Sequence, residues 1–221
     1  MLVSSRRSGT ATVSDKYHIT MINPEAGDHA IPQNARDIRL ALRAANVAWE
    51  RFPYLEHRYG ERGKRFTDSD GCWLFALASA KGIAVTKELE WLRTLLASRG
   101  IPTVILEFHL RAIGAEIGAQ SGAESQFDHF LLDMEIERRR LLGAENYLRL
   151  IDTFDRRFRA CEGFKFEPVA ELLISAWIDE QSGISGSVSA LRDWLVDVER
   201  FSSAWIANVN DLFAEIDRMR T

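Results

Sequence analysis

The sequence predicts an all-α protein: a multi-helix bundle of about seven helices, with a long heptad-patterned helix at the C-terminal end and an irregular N-terminal arm. Three observations carry this. Apolar residues beyond Asn34 recur in steps of three and four, the period of one helical face. β-Branched residues fall singly inside those periods, so no segment alternates as a half-buried strand would. Glycine and proline cluster between the periodic segments.

Residues 1–33 are rich in Ser, Thr and Gly and are interrupted by Pro24 and Pro32, which predicts an irregular arm. Lacking an apolar period, about residues 1–30 of this arm are expected to be dispensable for folding and to bear on partner binding instead. Ile38, Leu42, Ala45, Trp49 and Phe52 then mark the first helix, with Asn34 as its N-cap. Pro53 either stops that helix or opens the next. Between Arg58 and Phe75 lies a polar corner, RYGERGKRFTDSDGCWLF. Gly60 and Gly63 allow positive φ, so the corner reads as a tight reversal leading into a short apolar helix around Trp73 and Phe75. Gly82 ends that helix. Leu89, Leu92 and Leu96 face inward on the next, and Gly100 and Pro102 separate it from the one that follows. That helix, residues 103–118, is apolar on so wide a face that it is predicted to be central and largely buried.

The stretch GAQSGAES, residues 118–125, either divides two helical subdomains, 34–118 and 119–221, or is a loop within a single domain 34–221. Beyond it come a long helical segment to about Ala160 with a candidate break at Gly143, a helix over 168–181, and the last helix. In the last, Leu191, Leu195, Val198, Ser202, Trp205, Val209, Leu212, Ile216 and Met219 alternate in steps of four and three. That pattern predicts either a coiled-coil seam for self-association or packing across the chain's own bundle.

Composition bounds the function. Of 221 residues, 46% are hydrophobic and 27% charged, with a net charge of −4. Residues 1–118 hold 16 Lys/Arg and 13 Asp/Glu, whereas residues 119–221 hold 12 and 19. Nucleic-acid binding needs concentrated positive charge, so this balance argues against it. No apolar run is long enough for a membrane span, and the N-terminal stretch has no apolar core of a secretory signal. Cys72 and Cys161 stand far apart and read as free, partly buried thiols, in keeping with a cytoplasmic location.

No motif specifies a reaction. HExxH, CxxC, GxGxxG, GxSxG and the P-loop are absent. The principal expectation is therefore a non-enzymatic adaptor or regulator without a cofactor, acting on another protein or on itself through the C-terminal helix. Arg58, Arg62, Lys64 and Arg65, beside glycine amides, are its candidate partner or anion site. The alternative is a helical small-molecule, haem or metal-binding protein, a sensor or an oxygenase-like enzyme. Its candidate ligand is His109, on the apolar central helix. His129 and Asp133, four residues apart on one helical face, are a candidate metal pair. The six tryptophans suit either a core or a binding site.

Overall fold

A computed structural model describes residues 16–79, 85–121 and 126–219. Among these residues the fold is all-helical, with no strand. One 3-10 turn, Ile19–Met21, precedes nine helices: α1 (Ala35–Arg51), α2 (Tyr54–Ser79), α3 (Val85–Ala97), α4 (Thr103–Ser121), α5 (Asp128–Leu142), α6 (Ala144–Arg159), α7 (Ala170–Gln181), α8 (Ser187–Leu195) and α9 (Ser203–Met219). No described helix is long and apolar enough to cross a membrane. The expected helix end at Gly82, residues 1–15 of the arm, and residues 122–125 of the central break lie outside the described residues.

Residues 16–34 form a strap that is irregular, as expected, apart from the 3-10 turn. Gln33 closes its base, accepting from the Tyr17 amide and donating to the Tyr17 carbonyl. Ile19 and Ile31 are buried, and Asn23, also buried, donates to Ser69 on α2. Through Ile19, Asn23 and Ile31 the strap contributes to the core, which argues against dispensability of its described residues. It lacks a helical period because it is held by single anchors.

Asn34 caps α1 as expected, its side chain accepting from the Asp37 amide at 2.9 Å. The buried stripe of α1, however, is Ala41, Ala44, Ala45 and Ala48. Small side chains let α1 settle closely onto α2 and α4. The corner is a helix, not a reversal. Gly60, at φ 52° and ψ −153°, kinks α2, and helical geometry resumes through Gly63 to Ser79. At the end of α3, Gly100 takes φ 83° and the Ile101 amide donates back to Leu96, closing the helix in a Schellman-type cap.

α4 is central. Val104 and Ile105 join an apolar cluster with α6–α9, whereas Leu106, Leu110 and Ile113 join a second with the strap, α1, α2, α3 and α5. Its first turn is capped from a distance. Asp179 of α7 accepts from the Thr103 amide at 2.9 Å, and Ser175 accepts from the Val104 amide at 3.0 Å. Arg93 of α3 reaches the same Asp179 at 3.3 Å and Glu137 of α5 at 2.7 Å. One buried charge cluster therefore ties four helices together.

Gly143, at φ 73°, divides the long segment into α5 and α6 as expected. The C-terminal heptad run is not one helix, and this raises the helix number above seven. Asp197 accepts from the Glu199 amide through its side chain and from the Phe201 amide through its carbonyl, ending α8 in a local turn. Ser202 then accepts from the Trp205 amide and starts α9. Val198 is left 79% exposed. Trp205, Val209, Leu212 and Ile216 are wholly buried in the cluster shared with α6, α7 and α8. Among the two readings of the seam, the chain's own bundle occupies this face.

Candidate functional site

A cavity of about 370 Å³ lies beneath the strap, walled by α1, α2, α3 and α4. α2 supplies most of it. Tyr59, Gly63, Phe66, Asp70 and Trp73 follow one another in steps of four and three, so they share one face of the helix. α3 contributes Leu92, Leu95 and Leu96, the turn after it contributes Arg99, and α4 contributes Ile105, Leu106 and His109. Trp49 of α1 closes a side. The strap lays Ile19, Ala26, Gly27 and His29 over the remaining edge.

Glycines set how closely these walls approach. A Cβ on Gly71 would stand 3.1 Å from His109 Nε2 and 3.2 Å from the Ala45 Cβ. A Cβ on Gly63 would stand 3.2 Å from the Trp49 ring. Both glycines are helical, so here it is space that matters. Aromatic rings cluster at the rim: His29 lies 5.2 Å from Trp73, and Trp73 meets Trp91 edge-on at 6.1 Å. Trp91 itself is 48% exposed.

Of the titratable side chains that line the cavity, His109 and Asp70 are the most closely surrounded by protein. His109 is 6% exposed, and its Nε2 has no hydrogen-bond partner among the described residues. Burial, with a smaller contribution from the Lys64 charge, pushes His109 down to about 4, so the ring is neutral at neutral pH. Asp70 keeps some accessible surface, as a group facing a cavity does, yet protein surrounds it closely. Desolvation pushes its carboxyl up to about 7, against the opposing pull of Arg99. No side chain or amide among the described residues hydrogen-bonds to that carboxyl.

The four cations expected to form an anion or partner site do not converge. Arg58 donates to the Tyr54 hydroxyl and lies over the Tyr54 and Tyr59 rings, 5.7 and 5.2 Å from their centroids. Lys64 pairs with Asp68 of its own helix at 2.5 Å. Only Arg62 and Arg65 are brought together, and Glu25 of the strap pairs with both, at 2.7 and 3.5 Å. These pairs fasten the strap to α2 over the cavity.

His129 and Asp133 form an exposed pair at 3.6 Å, and no group of three metal-ligating side chains occurs among the described residues. A third ligand would be needed to fill a stable coordination sphere there. Both cysteines are free and buried, and burial raises the Cys72 thiol to about 12.

Asp70 is the member of the site that sequence reasoning missed. Gly60 and Gly63 suggest a reversal ahead of it, which hides that Asp70 shares a helical face with Gly63 and Phe66. The available signal was the 4-3-4-3 run from Tyr59 to Trp73, in which one acid interrupts an otherwise aromatic and small-residue stripe. Comparison with protein-family models, with curated proteins and with solved structures gives no match to the chain, so the site itself must carry the functional argument.

Proposed function

We propose that this protein binds a small organic molecule with a flat, largely apolar body in the cavity beneath the strap. This is the alternative reading of the sequence, with the site built around Asp70 as well as His109. The observation that carries it is the presence, among aromatic walls, of the Asp70 carboxyl and His109 Nε2, neither of which has a hydrogen-bond partner among the described residues. Small-molecule sites commonly have such lining, a few polar groups, and volumes of roughly 300–1,000 Å³. Burying a polar group without a partner costs stability, and an occupant that hydrogen-bonds to it removes that cost.

Indole, an uncharged flat probe, tests the reading by titration calorimetry. The native protein is expected to bind it. Leu95→Trp, which fills the cavity from the half-buried side of α3, is expected to weaken binding at least tenfold while leaving the circular dichroism spectrum unchanged. Equal binding to both proteins, or no heat of binding to the native one, would overturn it.

A second reading, the adaptor role, draws on Leu132 and Ile136. They lie four residues apart on the outer side of α5 and are 52% and 54% exposed. Self-association through that face predicts a sedimentation coefficient that rises with concentration and that Leu132→Glu with Ile136→Glu abolishes. A concentration-independent coefficient for the native chain would remove self-association.

A further inference from the structure

Resting on the cavity-binding reading above, the geometry points to a cationic amine as the ligand class, with its ammonium group against the Asp70 carboxylate and its apolar body between the aromatic walls. Among the described residues Asp70 is the only carboxylate that lines the cavity. A carboxylate held in an apolar setting gains most from an opposite charge brought to it, because attraction is strong where water is scarce. The walls are suited to the same charge. Trp49 and Trp73 bring π systems to the lining, and such rings attract cations, as Arg58 over the Tyr59 ring and Arg62 over the Phe66 ring already illustrate.

Two of the protein's own cations, Arg62 and Arg99, line the cavity, and among the described residues neither forms an ion pair with Asp70. Arg62 is engaged by Glu25 at 2.7 Å. Arg99 sits past the end of α3 and is exposed, and it acts on Asp70 through its field without an ion pair. Among the described residues, His29 from the strap, Tyr59 from α2 and His109 from α4 complete the titratable lining, and α1 adds only the Trp49 indole beside Ala48. His109 is uncharged at neutral pH, so it neither neutralises Asp70 nor repels an ammonium. An anionic ligand, in contrast, would meet the ionised Asp70 as a like charge.

Three probes of one shape and three charges decide the matter: benzylamine, benzyl alcohol and benzoate, titrated calorimetrically into the native protein at pH 8. Benzylamine is expected to bind at least tenfold more tightly than the alcohol, and benzoate most weakly. At pH 5.5, where Asp70 is protonated, the preference for the amine should shrink at least tenfold. Asp70→Asn should erase it, so that the amine and the alcohol bind the variant within about twofold of each other. If the alcohol or benzoate binds as well as the amine, or if the preference survives Asp70→Asn, the amine assignment is overturned. The cavity reading then stands, provided that Leu95→Trp still blocks the neutral probes. If none of the three binds, both the assignment and the cavity reading fail.

Discussion

Asp70→Asn is expected to stabilise the protein increasingly as pH rises from 5 to 8. The carboxyl stands at about 7 in the fold against an ordinary value of 3.8. Below about pH 4 it is protonated in both folded and unfolded chains and costs nothing. Between 3.8 and about 7 the unfolded chain releases the proton while the folded chain keeps it, so stability falls as pH rises; above about 7 the loss is complete. A gap of about three pH units, at about 1.36 kcal/mol each, gives a penalty of about 4 kcal/mol as an upper bound. Roughly two of those three units lie above pH 5, so the advantage of the asparagine variant should grow by at most about 2.5 kcal/mol between pH 5 and 8. His109 has the opposite sign. Its value is depressed from 6.5 to about 4, so its contribution is present above 6.5 and lost as pH falls to about 4. That slope is common to both proteins and cancels in the difference. Urea denaturation of wild type and variant at half-unit pH steps measures it. Parallel stability curves would mean that the Asp70 carboxyl is well solvated, and would refute the electrostatic description of the cavity.

Arg93→Ala strands Asp179 without its cation in a wholly buried position, and should cost about 3–5 kcal/mol in urea unfolding; a cost below about 1 kcal/mol would show that the Thr103 donors suffice. Trp205→Ala should cost about 3–5 kcal/mol, since its ring stacks on Phe201 at 4.9 Å and meets Phe158 at 4.7 Å. Val198→Asp, in the same heptad register, should change stability by less than about 0.5 kcal/mol. Similar losses for the two would restore the continuous seam. Glu25→Gln should speed amide hydrogen exchange over residues 17–33 with little change in melting temperature, because it releases Arg62 and Arg65 at an exposed position. Unchanged exchange would show that Asn23 and Ile19 alone hold the strap.

What the sequence disclosed was local chemistry, and what it concealed was decided by distant neighbours. The Asn34 cap, the Gly100 turn, the break at Gly143 and the buried breadth of α4 each follow from residues within a few positions. The heptad run misled because Asp197 and Ser202 offer the backbone alternative hydrogen bonds, which interrupt a pattern that looks continuous to periodicity. The alanine face of α1 gave little signal, since small side chains pack tightly while registering weakly as apolar. In the corner, two glycines promised a reversal, yet one became a kink and the other a point of close packing. His109 was visible as a candidate because it breaks an apolar stripe. Asp70 became visible only once α2 was known to continue through Gly63, and the strap that covers both is held by scattered side chains that no window reveals.

The cap on α4 carries a consequence for the order in which the chain acquires its shape. Thr103 and Asp179 are 76 residues apart in sequence. During synthesis from the N-terminus, α4 emerges long before α7, and its first turn lacks those acceptors until residue 179 is free to fold back. Contacts of such sequence separation form late because a long loop must close first. The wall that carries His109 is therefore expected to reach its final position only when α7 docks, so that ligand-binding competence should arise late, well after the strap, α1 and α2 have been made.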